Sequence, residues 1–386
     1  MKRAQGPSLD QEESNRMRQE SKRREMEKAA KEEEDRKRKE ETRAKMDDRM
    51  KNLIKKKNQK GIWDQYSYHI IFGVLGLLLL FAIFGRAPNE TRRSVDIPVN
   101  DEDFIIKVNS QRRGFTVDAN TFFEGWNLQD VKGILKNGFT KKKSVPRCSM
   151  TGSELAIDKY NFMEKHPNCV AEIANQGNCS SSFAFAAVGM FNDRHCITNN
   201  DQKTFTASVQ HPLACDKQSS KGCQGGFLIG ALDLGRLAGF VDSECLAYNP
   251  EKADECEAES ISKCKRQNVA DYCVLEGVSE IKRALENGPV ATLIQVTKEF
   301  LIYRDGLYDE SLCDYKLEGL QAIKIVGYDQ TESGQEYWII ENSWGPTWGK
   351  NGYAWVKIGV LDSMVDKFAV SLSAGSEKKE ERPQEE

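Results

Sequence analysis

Eleven cysteines and four histidines carry most of the nucleophilic, metal-binding and acid–base capacity of this 386-residue chain. A thiolate beside an imidazole attacks acyl groups, and clustered Cys and His hold zinc. The spacing does not favour zinc, because the chain has no CxxC pair and no Cys/His zinc pattern. No metal and no other cofactor is therefore implied. The histidines are His69, His166, His195 and His211, so the last 175 residues contain no imidazole. All the cysteines lie at or after Cys148. Disulfides persist in oxidising compartments, so that part of the chain is expected in one. Their odd number leaves at least one unpaired or bonded to another chain.

The elements that must position these residues follow three compositional zones. Residues 1–60 hold 21 Lys/Arg and 14 Asp/Glu, whereas 61–386 hold 35 and 45. The overall charge of −3 thus averages a basic arm and an acidic body. Within 8–60 there is neither Pro nor Gly, and many Glu residues stand three or four positions before Lys or Arg. That pattern predicts a solvated charged helix over 1–62. Met17, Met26, Met46, Met50 and Leu53 are too sparse for a coiled-coil seam. A docking helix for a cytoplasmic partner is the alternative.

Residues 63–86 contain the run YSYHIIFGVLGLLLLFAIFG, Tyr66–Gly85. Twenty helical residues span ~30 Å, a bilayer's hydrocarbon thickness. Trp63, Tyr66 and Tyr68 suit one interface, and Arg86 closes the other. Lys51, Lys55, Lys56, Lys57 and Lys60 precede the run, against Arg86, Arg92 and Arg93 after it. The positive-inside bias puts the N-terminus in the cytosol and the cysteine-rich part across the membrane. The five lysines are read as this topology signal, not as a nucleic-acid patch. A cleavable signal would stand near residue 1.

Four blocks in the remainder identify a scaffold. They are NCVAEIANQGNCSSSFAFAAVGMFNDRHCI (168–197), LACDKQSSKGCQGGF (213–227), ENGPVATLIQVTKEFLIYRDGLY (286–308) and QAIKIVGYD…EYWIIENSWGPTWGKNGYAWVKIG (321–359). Together they resemble papain-like cysteine proteases, and the DRHCI spacing is most similar to the cathepsin B branch. The resemblance implies an α+β fold of two lobes facing a cleft: a helical left lobe and a β-barrel-like right lobe. The residues agree locally. SFAFAAVGMF reads as a helix buried on all sides, and EYWIIEN and YAWVKIG read as strands.

The family pattern Gln-Gly-x-Cys-Gly-Ser-Cys-Trp-Ala-Phe is met here by Gln176-Gly-Asn-Cys179-Ser-Ser-Ser182-Phe183-Ala-Phe185. The resemblance assigns Gln176 to the oxyanion position, Ser182 to the nucleophile position and Asn342 to the orienting amide. The base position, in His-Ala-Val-x-x-Val-Gly-Tyr, is Gln321. A papain-like mechanism needs a thiolate at a helix N-terminus paired with an imidazolium. Neither is present, and Gln321 has no titratable proton. Lys324 stands three residues along a strand and is expected on the opposite face. Gln176 and Asn342 are then expected to serve as structural hydrogen-bonding groups, with Ser182 and Gln321 hydrogen-bonded across the cleft.

By the same resemblance, Cys169 pairs with Cys196, Cys179 pairs with Cys223, and Cys215 pairs within the Cys245–Cys264 region. Cys148, Cys273 and Cys313 stay unassigned. Gly225, Gly226 and Trp344 are expected to wall the cleft. The stretch 240–275 lacks the histidines of cathepsin B's occluding loop. Residues 101–135 resemble the short cathepsin B propeptide, which runs backwards through the cleft; a folded spacer is the alternative. The basic run 141–147 is a processing site or an exposed linker. Two glycosylation sequons occur, Asn89-Glu-Thr91 and Asn178-Cys-Ser180. The first is expected to lie too near the bilayer, and the second to be buried by the fold.

The expected organisation is a charged segment (1–62), a membrane helix (63–86), a linker and propeptide-like segment (87–147), a papain-like domain (148–374) and a charged tail (375–386). The expected function is a non-catalytic, type II membrane-anchored subunit with protein partners in a membrane complex. Its folded part would face the lumen or exterior of the secretory system, or an oxidising space at an organellar inner membrane. The alternatives are a peptide- or protease-binding module that uses the cleft, and a peptidase with residual activity.

Overall fold

The computed structural model describes residues 97–140, 144–149, 157–314, 316–361 and 363–372. The expected charged segment, membrane helix and C-terminal tail lie outside the described residues. Among the described residues no helix is long and apolar enough to cross a membrane.

The segment before Cys148 folds as part of the body. Helix α1, Glu102–Ser110, starts at Asp101, whose carboxylate accepts from the Phe104 N–H at 3.2 Å. Glu102 and Asp103 in its first turn complement the helix dipole. Strand β1 is Phe115–Val117. Helix α2, Leu128–Ile134, opens with a reciprocal capping box between Asn127 and Asp130. Val108, Phe115, Val117, Phe123, Val131 and Ile134 are all buried, in the same cluster as Trp338, Trp344 and Trp348. Burying each large apolar side chain contributes about 1.5–3 kcal/mol. The described residues form one compact unit.

The left lobe is built on α3, Ser182–Thr198, which is apolar nearly all round and buries Phe183, Ala184, Ala187 and Met190. Helices α4, Gln210–Cys215, and α5, Leu228–Ala238, share its core. Small side chains along α3 let the right lobe approach closely: a methyl on Gly189 would sit 3.2 Å from the Lys324 side chain.

The right lobe is a twisted sheet. Its strands are β2 (Tyr160–Asn161), β3 (Tyr272–Glu276), β4 (Val290–Thr297), β5 (Tyr303–Tyr308), β6 (Lys316–Gln330), β7 (Glu336–Glu341), β8 (Tyr353–Lys357) and β9 (Phe368–Leu372). The order is β1-β5-β8-β7-β6-β4-β9-β3, with β2 on β6. All pairings are antiparallel except β8 with β5. Strand β1 thus adds the propeptide-like segment to the β5 edge, with Phe115 opposite Gly306. An open edge there would otherwise present unpaired backbone groups.

Five disulfides brace the body. Cys169 joins Cys196 and Cys179 joins Cys223, the pairs the resemblance implies. Cys215 joins Cys256, inside the stretch anticipated for it, and Cys245 joins Cys264. Cys148 joins Cys273, a pairing the sequence does not assign. Cys313 is the free thiol among the described residues, and burial pushes its pKa up to about 12.

Candidate functional site

Ser182 opens α3, and Gln321 lies on the central strand β6 with Ile294 as its neighbour on β4. The chain around Gln176 is zipped to the turn after β7: Gln176 N–H donates to Ser343 O at 2.9 Å, and Gly345 N–H to Ala174 O at 2.9 Å. These pairings bring Gln176, Ser182, Gln321 and Asn342 together where the lobes meet. Gln176, Ser182 and Gln321 have no exposed surface, and Asn342 is 3% exposed.

The hydrogen bonds between them differ from the expected direct link of Ser182 to Gln321. Ser182 Oγ accepts from the backbone N–H of Ala322 at 3.0 Å. Gln321 Nε2 donates to Gln176 Oε1 at 2.8 Å and to Asn342 Oδ1 at 2.9 Å. Ser343 Oγ also donates to Gln176 Oε1, at 2.7 Å. Gln176 Nε2 in turn donates to Cys179 O at 2.9 Å. The correction has a simple cause. An amide with two donors satisfies two carbonyl-type acceptors on its own side, which leaves the serine to the nearest main-chain donor.

Lys324 faces away from this cluster, as strand alternation predicts. Its ammonium lies 2.5 Å from Asp193 on α3 and 3.0 Å from Glu341, its cross-strand neighbour on β7. Burial raises both carboxyl pKa values, and Lys324 opposes the rise; between two carboxylates its own pKa is raised. Arg194, the next residue of α3, donates to the carbonyls of Ala284, Gly288 and Pro289. The DRHCI run therefore fastens the central helix to the right lobe. Cys196, at its far end, adds the bridge to Cys169.

Above the cluster runs the chain's own segment 134–139. Ser180 Oγ donates to Ile134 O at 2.9 Å and accepts from Lys136 N–H at 3.0 Å. On one side Leu320 N–H donates to Leu135 O at 2.9 Å. On the other, Gly138 N–H donates to Gly226 O, Leu228 N–H to Gly138 O and Ile229 N–H to Phe139 O, each at 2.9 Å. A peptide in this groove would need the same backbone groups. Gly225 is required by the strap: a Cβ there would stand 1.8 Å from Lys136 O.

Gly225 and Gly226 lie against this segment of the chain itself. Trp344 does not line an open cleft. It is fully buried, edge-on to Phe123 at 5.1 Å and stacked on Phe122 at 6.0 Å. A cavity of about 240 Å³ adjoins the cluster, bordered by Phe185, Gly189, Tyr248, Lys324, Asn342 and Ser343. Among the described residues no group of His, Cys, Asp or Glu is arranged to hold a metal ion.

Asn178 is also placed differently from expectation. It is exposed, while Cys179 and Ser180 beside it are buried. Gly177, with φ +59°, turns the loop so that the intervening side chain points outward. Ser180 itself is a residue that motif reading passed over. The signal was present, since the family pattern has Gly where this chain has Ser180.

A two-lobe α+β fold whose central helix starts beneath the groove defines the papain class, and the chain belongs to the papain family of cysteine proteases, whose sequence profile matches residues 158–371. Its relatives include a cathepsin B-like protein, CP2, of Giardia intestinalis, 30% identical over 64% of this chain and 85% of that protein. Tubulointerstitial nephritis antigen-like from Homo sapiens is 27% identical, over 70% of this chain and 67% of the other. Among solved structures, procathepsin B S9 from Trypanosoma congolense matches with a TM-score of 0.63 at 26% identity, over 71% of this chain and 98% of that one.

Proposed function

We propose that this papain-family, cathepsin B-related protein is non-catalytic, is anchored in a membrane by residues 63–86, and serves as a structural or interaction subunit of a membrane complex. The observation that carries this reading is the Gln321–Gln176 hydrogen bond at 2.8 Å, with both side chains buried. A base must accept a proton from the attacking group. Gln321 cannot accept one as a base, and its donor nitrogen is committed to Gln176 and Asn342. Ser182, without an adjacent base, remains a weak nucleophile.

The occupied groove supports the structural reading over the peptide-binding one. A binding module needs a free groove, and here segment 134–139 already pairs along both walls. The basic arm, the apolar run and the confinement of cysteines to the distal part support a cytosolic N-terminus and an oxidising compartment for the fold.

Purification of the full chain from its native membrane in mild detergent, with cross-linking mass spectrometry, tests this reading. The expected result is stoichiometric partners with cross-links outside the groove, and residues 134–139 still seated. Recovery of foreign peptides in the groove, with the strap absent, would favour the peptide-binding alternative.

A further inference from the structure

We infer that Asn178 is an N-glycosylation site, so that the loop edge beside the Ser182–Gln321 cluster faces water and not a partner subunit. The inference rests on the luminal placement proposed above. Asn178-Cys179-Ser180 satisfies the acceptor pattern of Asn, a non-proline residue and a hydroxyl residue. The fold then decides whether such a site is tolerable, because a bulky hydrated glycan must project from the surface. Gln176, Cys179, Ser180, Ser181 and Ser182 are all fully buried, whereas Asn178 within the same loop is exposed. The loop turns outward at one point, and the acceptor side chain stands there.

The burial of Ser180 fixes the order of events. In the folded protein its hydroxyl is held by Ile134 O and Lys136 N–H, and Cys179 is bonded to Cys223. The transferase must contact that hydroxyl in an extended chain, so the sugar is added before the disulfide closes and the strap docks. In the transfer, the Asn178 Nδ2–H bond breaks and an Nδ2–C1 bond to the sugar forms. The C1–O bond to a lipid-pyrophosphate carrier breaks, the lipid pyrophosphate leaves with the bonding electron pair, and the amide proton passes to the medium. The carrier-linked oligosaccharide is the only co-reactant.

The other sequon, at Asn89, follows the apolar run by four residues and lies outside the described residues. It serves as an internal control.

The test is expression of the full chain in cultured eukaryotic cells, with intact-mass measurement before and after enzymatic glycan release. The expected result is one glycan per chain, release of which leaves a deamidated residue 178. It is lost in Asn178→Gln and retained in Asn89→Gln. A further variant, Thr331→Asn, creates a sequon with Ser333 in the exposed turn between β6 and β7 and reports compartment independently. A glycan at 331 with none at 178 overturns the inference and leaves the luminal reading standing. Absence of both overturns the inference and the luminal reading together. Asn178→Gln removes no buried group, so a normal thermal transition in that variant separates loss of the glycan from misfolding.

Discussion

Gln321 Nε2 sits 2.8 Å from Gln176 Oε1, so the side chain at the family's base position donates to the one at its oxyanion position. An oxyanion site must keep a donor free for charge that develops during reaction. Here Gln176 Nε2 is committed to Cys179 O while its Oε1 accepts from Gln321, and Ser182 Oγ is engaged by the Ala322 N–H. These contacts cross the junction between lobes, so they belong to the stability of the fold. Gln321→Ala removes one of the two donors to each of Gln176 Oε1 and Asn342 Oδ1, and Ser182→Ala leaves the Ala322 N–H without its acceptor. Each is expected to lower stability by about 1–3 kcal/mol, read from urea denaturation. Unchanged midpoints in both variants would show that the cluster contributes nothing.

The ion cluster of Lys324 with Asp193 and Glu341 makes a larger prediction. Lys324 and Asp193 are almost wholly buried, and Glu341 keeps 14% of its side chain exposed. Lys324→Met leaves two buried carboxyl groups without a counter-charge, which costs about 3–5 kcal/mol. Burial already raises both carboxyl pKa values, so in that variant the folded state holds protons that the unfolded state releases. Stability of the variant should therefore recover as pH falls toward the ordinary carboxylate range. Neutralising both acids together, Asp193→Asn with Glu341→Gln, should restore most of the loss at neutral pH.

Ser180 makes a separable prediction about the strap. Its two hydrogen bonds to residues 134 and 136 contribute about 1 kcal/mol each. Cys148 and its bridge lie beyond the 141–143 lysines, so trypsin cleavage there leaves the upstream piece with no covalent tie; in the wild type it is expected to stay bound through its hydrogen bonds and buried side chains. Ser180→Gly should weaken retention roughly tenfold or more. Hydrogen exchange at the Lys136 amide should quicken in parallel. Equal retention in the two proteins would show that Ser180 does not clasp the segment.

Acid stability follows from His211. It is buried on α4, its Nδ1 lacks a partner, and burial, reinforced by Arg266, pushes its pKa down to about 4. Burial lowers the pKa of His195 as well. The unfolded imidazole takes its proton near pH 6.5, whereas the folded one resists until about pH 4. Between these values the unfolded state binds more protons, so stability rises with pH and is lost on acidification. For His211 the loss from pH 7 to pH 4 amounts to about 3 kcal/mol, which His211→Gln should largely abolish. A thermal midpoint falling equally in wild type and variant would remove His211 from this account.

The central helix was legible in the sequence because SFAFAAVGMF is apolar nearly all round, a pattern that suits a buried helix. Strands β7 and β8 were legible from their aromatic and β-branched runs. The Ser182–Gln321 geometry was not, since a motif names positions and not donors; Ala322 contributes its backbone, which carries no sequence signal. Lys324 could be assigned a face by strand parity, but not its partners 131 and 17 residues away. The exposure of Asn178 was missed because its buried neighbours dominate the local pattern. A single positive-φ glycine, Gly177, reverses the direction of the intervening side chain.

The central claim is the absence of peptide hydrolysis, and turnover of a diverse peptide library tests it most directly. The assay uses purified wild-type chain and, so that the strap cannot mask a competent site, the trypsin-cut Ser180→Gly form with its upstream piece removed. We expect no cleavage by either, and cleavage to arise in the strap-free form only when Ser182→Cys and Gln321→His are combined. Hydrolysis by the wild-type chain that disappears in Ser182→Ala would contradict the account.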